Sequence, residues 1–412
     1  MNLSMVQSTV GVRTNPGSFS ILDVLLRRST FIYLLTAATL VPFFIGGLTV
    51  CHIIGVSWLV SMLAIIALFH VPMTAYLFSD AGIRNQMRTR SVLMIGGCVF
   101  WIALSIFIMT KFSKESRSHY TEVLYLFTVA VVMWQHWHFG KQSLGVFAFS
   151  RIATRTGSMS RFERYTLVSG AVCGIIAAYL MVGKANRIAF SPEGHLDPFT
   201  GVMDVISLHF RWFQYGLAVV TVIYIILNWK RFTPTTALLY LSGVCFFFPQ
   251  FLWLDLPQYF YIFGSFASAH GAQYMVFLLY HALGAVNLNR TNLSSLRTDD
   301  DFNTSVDREA AMKRLVKIAG TLLPLLAFCL TLAVVINFYG STQIFGFNDL
   351  VTLTTTKILH MKKMTDTKIN GIVSGLIFGI LLSHFWLDSF YWRLKEKTPR
   401  EWVKARYSFL FN

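Results

Sequence analysis

The chain has 412 residues, of which 55% are hydrophobic and 13% charged, with a mean hydropathy of +0.56. A soluble domain of that size cannot bury so much apolar surface, so the excess must face lipid and a large soluble domain is excluded. The formal net charge of +16 is dispersed over several short segments, which fits retention of Lys and Arg on the cytoplasmic side of a membrane and argues against nucleic-acid binding.

Windows of about twenty apolar residues, enough to cross roughly 30 Å of hydrocarbon as helix, recur from Phe31 almost to the end of the sequence. They predict an all-α, polytopic bundle of about ten transmembrane helices at 31–50, 55–78, 92–110, 121–141, 165–183, 211–229, 236–254, 259–286, 315–338 and 370–391. Runs such as Met62 to Phe69 are apolar on every face, whereas a barrel strand would alternate. Residues 1–30 read as an N-terminal cytoplasmic segment in which 21–28 suits an interfacial helix, 31–392 as the transmembrane domain, and 393–412 as a basic, aromatic cytoplasmic tail. The first twenty residues lack the apolar core of a cleavable signal. Pro249 and Pro257 predict a kink or loop.

Orientation follows from the basic residues. With the N-terminus inside, Arg27, Arg28, Arg84, Arg88, Arg90, Arg151, Arg155, Arg161, Arg164, Lys230, Arg231 and the tail cations all fall in the cytoplasm. Both termini are therefore predicted inside, in a multi-pass protein of the inner or plasma membrane if its source is bacterial. The five cysteines are scattered and form no Cys-x-x-Cys pair, which disfavours a disulfide scaffold or thiolate cluster. No internal repeat supports an inverted-repeat transporter.

Ionisable residues inside spans are costly and mark candidate sites. His70, His136, His138, His281 and His384 all fall within roughly 12 Å of the cytoplasmic ends of their predicted spans, in one layer contributed by separate helices. His384 and Asp388 in HFWLD share a helix face, as do His138 and Gln142. His136 and His138 point about 200° apart on a regular helix, so both can join one centre only if the helix ends or distorts nearby, which Gly140 permits. His270, with Gln273 three residues on, lies deeper and about 16 Å from His281 along the axis, which assigns it to substrate or to a second site. The predicted metal ligands are therefore His70, His136, His138, His281, His384 and Asp388. Asp80, Gln142, His270 and Gln273 are candidates for supporting or substrate roles. Asp80 also has Arg84 four residues away as a salt-bridge partner.

Imidazole and carboxylate without thiolate suit a transition metal, iron ahead of copper or zinc, and a bis-histidine haem stays open. A histidine-rich set with one carboxylate near the cytoplasmic face resembles, in layout, the membrane-bound di-iron desaturases and hydroxylases; the three histidine boxes of that family are absent as such. The leading expectation is a membrane-embedded, metal-dependent oxidoreductase acting on a lipid or other hydrophobic substrate. Its electrons would come from a separate donor, because no flavin- or nicotinamide-binding fingerprint is present. The alternatives are a proton- or ion-coupled transporter using the same histidines and a membrane acyl- or glycosyltransferase with a histidine base.

Overall fold

The computed structural model describes residues 24, 27–51, 53, 70, 88, 90–112, 119–190, 197–252, 265–281, 367–392 and 397–411. Among these there is no strand. The helices are α1 (Arg28–Val50), α2 (Ser91–Phe112), α3 (His119–Ala153), α4 (Arg161–Phe190), α5 (Asp197–Leu227), α6 (Pro234–Val244), α7 (Phe248–Leu252), α8 (265–281), α9 (Thr367–Tyr391), α10 (Lys397–Arg406) and α11 (Ser408–Phe411). Three stretches, Arg28–Thr49, Ser91–Lys111 and Leu208–Leu227, are long and apolar enough to cross a membrane. Val92, Ile95, Val99 and Phe100 on α2 and Val219, Ile223 and Ile226 on α5 are exposed. Apolar faces of that extent need a covering phase, and hydrocarbon supplies one. The predicted span 315–338, and all of 55–78 except His70, lie outside the described residues.

Local chemistry sets several helix ends. Ser160 and Glu163 form a capping box at the start of α4: the Glu163 amide donates to Ser160 Oγ (3.1 Å) and the Ser160 amide donates to Glu163 Oε2 (2.6 Å). The turn before it uses Gly157 at φ 87° and Arg155 at φ 56° to reverse the chain after α3. Thr233 caps α6 in the same reciprocal way with Thr236, and Pro234 occupies the first turn, where a missing N–H costs nothing. Ser160→Ala removes one such cap and is expected to lower stability by about 1 kcal/mol, read as an earlier thermal transition in detergent.

α4 and α5 are longer than the predicted 165–183 and 211–229, and two further stretches also differ from the sequence-based spans. The stretch predicted as one helix over 236–254 is broken: α6 stops at Val244, residues 245–247 turn, and α7 restarts at Phe248. Pro249 is the physical reason, because it has no N–H to donate back to Cys245 and its ring crowds the preceding turn. α3 runs on to Ala153 instead of stopping near 141. Lys141 and Gln142 look like a water-facing end in the sequence, yet the Gln142 side chain is partly buried and bonded within the bundle.

Close approach between helices depends on missing side chains. α9 packs along α2 where Gly375 faces the backbone of Ile106 and Gly379 that of Ile102, and a Cβ at either would overlap the α2 backbone. Small residues four apart are a common means of bringing membrane helices together. The contact is tied by hydrogen bonds from Ser383 Oγ to the Cys98 carbonyl (3.2 Å) and from Trp386 Nε1 to the Leu93 carbonyl (3.3 Å). Gly140 likewise lets α3 meet α4 at Ala171.

The segment 397–411 folds back onto the bundle. Trp402, Val403, Tyr407 and Leu410 are buried with Phe31 of α1, Phe149 of α3, Phe277 and Tyr280 of α8 and Tyr391 of α9. The Tyr407 hydroxyl donates to the Phe277 carbonyl (2.8 Å), and Arg28 Nε donates to that of Phe409 (3.0 Å). Burial raises the Tyr407 phenol above the ordinary tyrosine range. This end of the bundle is closed by aromatic packing, with Lys397, Arg400 and Lys404 on its exposed side.

Candidate metal centre

Four imidazoles from four separate stretches of chain meet in the interior: His70, His138 of α3, His270 of α8 and His384 of α9. His70, His270 and His384 are almost wholly buried. Their ring centres form a closed circuit, with His70 4.6 Å from His270 and 4.9 Å from His384, and His138 4.8 Å from His270 and 5.2 Å from His384. Asp388, one turn after His384, enters from the side. Its Oδ2 lies 3.6 Å from His138 Nε2 and 3.8 Å from His384 Nε2, and its Oδ1 accepts a hydrogen bond from the Tyr274 hydroxyl (3.1 Å).

These donors suit a metal ion. Two trios, His70–His270–His384 and His138–His384–Asp388, each have one ligand atom per residue within 4.8 Å of the others. A tetrahedral ion with nitrogen ligands at about 2.1 Å spaces them by roughly 3.4 Å, so a trio at the 4.8 Å limit must draw in to hold one. His384 belongs to both trios. Both ring nitrogens of His270 and Nε2 of His138 are buried and make no hydrogen bond among the described residues. Buried polar atoms without a hydrogen bond are costly and call for an explanation such as an ion. Edge-to-face contact between neighbouring rings matches a bare ion better than a macrocycle inserted among them. Apolar rings enclose the group: Phe139 lies 4.5 Å from His270 and Phe385 4.6 Å from His138.

A polar chain steadies the helices beside it. Gln142 Nε2 donates to the His270 carbonyl (2.9 Å) and to Gln273 Oε1 (3.0 Å), while Gln273 Nε2 donates to Thr39 Oγ1 (2.9 Å). The two glutamines singled out in the sequence thus join α1, α3 and α8 and make no contact with an imidazole ring in these bonds.

The structure does not bring His136 and His281 into the group. His136 faces the other side of α3, as the two-residue spacing dictates. Its Nδ1–H donates to the Val132 carbonyl (2.8 Å), and its Nε2 accepts from Gln250 Nε2 (3.0 Å) on α7. Both nitrogens are therefore committed, and α3 continues through Gly140 without the distortion that would turn the ring inward. His281 packs against Trp402 of α10, ring centres 5.1 Å apart. It stands at the aromatic closure, about 16 Å along α8 from His270. Asp80 lies outside the described residues. His136→Ala is expected to cost about 1–3 kcal/mol, since it strips Gln250 of a buried partner, while leaving metal content unchanged in elemental analysis.

Sequence reasoning missed Tyr274 and Gln250. Tyr274 had a signal available, since it stands four residues after His270 on the same helix face. Gln250 had none, because its position depends on the break before α7. Comparison with protein-family models, with curated proteins and with solved structures finds no match to this chain.

Proposed function

We propose that this chain is a multi-pass membrane protein with both termini cytoplasmic, and that it is a metal-dependent oxidoreductase of desaturase, hydroxylase or oxygenase type acting on a lipid or other hydrophobic substrate. One observation carries the reading: four imidazoles and a carboxylate gather at a single buried locus, with His384 common to both trios. Five nitrogen and oxygen donors exceed what a closed tetrahedral zinc site uses and suit iron or manganese with a position left for substrate or oxygen. A redox-active ion held there would supply oxygen activation next to an unactivated C–H bond.

The protein's own groups have separable tasks. His70, His138, His270 and His384 present nitrogen donors, neutral imidazole being the form that binds metal. Asp388 adds one negative charge that offsets the cation in a low-dielectric interior. Phe139 and Phe385 exclude water from the centre and offer apolar contact to an acyl or isoprenoid chain. The substrate would enter from the lipid phase, and a separate protein would bring the electrons.

The test is elemental analysis of protein purified in detergent without chelator, followed by dioxygen uptake with a chemical reductant and membrane lipid. Stoichiometric iron or manganese with reductant-dependent uptake supports the proposal. Zinc without redox activity would move the site to hydrolytic or transfer chemistry. Metal-free protein would remove the reading and leave transport as the better one.

A further inference from the structure

The carboxylate of Asp388 has two oxygens with different partners. Oδ2 lies 3.6 Å from His138 Nε2 and 3.8 Å from His384 Nε2, while Oδ1 is taken by the Tyr274 hydroxyl at 3.1 Å. We infer that Tyr274 is a positioning residue of the metal centre: by donating to Oδ1 it fixes the rotation of the Asp388 carboxylate and presents Oδ2 to the ion as a single, oriented oxygen ligand. This rests on the proposed function only in needing an ion at the locus.

Three features support it. Tyr274 and His270 are four residues apart on α8, so one helix face delivers both an imidazole and the hydroxyl that orients the opposing carboxylate. The phenol ring is almost wholly buried, with its centre 5.9 Å from His70 and 5.7 Å from His384, so it is wedged among the ligands and cannot swing away. Asp388 is itself almost wholly buried on α9. An aspartate has little chain to sample, and the remaining freedom is rotation of the carboxylate about its last bond. A donor on one oxygen removes that freedom, the means by which hydrogen-bonded neighbours tune metal ligands, typically worth 10–100-fold in affinity. The hydroxyl bonds to Asp388, so its effect on an ion would run through the aspartate.

The experiment is a double-mutant cycle on metal affinity with purified full-length protein, stripped and retitrated with Fe(II) or with Co(II), whose d–d absorption reports coordination. Tyr274→Phe keeps the ring and its packing. It should weaken metal binding about 10–100-fold and shift the Co(II) bands, with the metal-free protein still folded and its melting temperature lowered by no more than the loss of one buried hydrogen bond. Asp388→Asn should weaken binding at least as much. The decisive result is the double variant. If Tyr274 acts through Asp388, adding Tyr274→Phe to Asp388→Asn changes affinity and spectrum by less than twofold. Effects that multiply, or a Tyr274→Phe protein with wild-type affinity and bands, would overturn the inference while the metal-centre reading stands. Wild-type protein that binds neither Fe(II) nor Co(II) would overturn both. A Tyr274→Phe protein that fails to fold is replaced by Asp388→Glu. There the displaced oxygen should break the Tyr274 bond and give the same band shift, and an unshifted spectrum counts against the inference.

Discussion

His384→Ala is expected to yield folded protein that has lost its metal. His384 is the only residue shared by the two ligand trios, so its removal leaves neither with three donors. Metal per chain should fall at least tenfold, which corresponds to about 1.4 kcal/mol of binding or more. The measurement is elemental analysis after identical purification, with His136→Ala in parallel. The control variant also loses a buried imidazole from the bundle, yet its ring bonds to Val132 and Gln250 and lies outside both trios. Metal retained in His384→Ala, or lost equally from both variants, would place the ion elsewhere or reduce the effect to general destabilisation.

Gly379→Ala is expected to be among the most damaging single-methyl additions in this protein. A Cβ at 379 would overlap the Ile102 backbone, so α2 and α9 must separate. Forcing atoms into a packed interface costs about 1–3 kcal/mol, and the upper end applies because the obstruction is backbone that cannot rotate aside. Separation would also stretch the hydrogen bonds from Ser383 and Trp386 to α2, and with them the placement of His384 and Asp388 on the same helix. Both thermal stability and metal content should therefore fall. Gly96→Ala on α2 is the matched control, since a Cβ there meets nothing within 4 Å, and it should stabilise the helix by up to about 1 kcal/mol. Equal melting temperatures for the two variants would refute this account of the α2–α9 contact.

The apolar windows gave good bounds for α1, α2 and α9, because an unbroken apolar run makes up most of each helix. The sequence-based bounds failed where the bundle buries polar groups. Lys141 and Gln142 mark the limit of an apolar run, so depths measured from that limit put His138 near a helix end. α3 in fact continues to Ala153, leaving His138 some fifteen residues inside it. α8 sets His270, predicted to lie deeper, beside His138, while His281, predicted level with the others, packs against Trp402. Helix-face spacing was more robust than depth. The pairing of His384 with Asp388 follows from a separation of four residues whatever the span boundaries, and so does the divergence of His136 from His138. What no spacing rule supplies is which helices are neighbours. The meeting of His70 with His384 depends on tertiary arrangement, and the position of Gln250 depends on how the chain restarts after Cys245.

The ligand set has an order in time as well as in space. During synthesis His70 leaves the ribosome first, then His138 and His270, and His384 with Asp388 only after most of the chain has been made. No trio is complete before α9 emerges, since both include His384. Either trio can therefore form only once α9 packs along α2, where Gly375 and Gly379 admit it. Under the proposed function an ion would be bound late in assembly, and Phe385, one of the rings beside it, arrives on the same helix as His384.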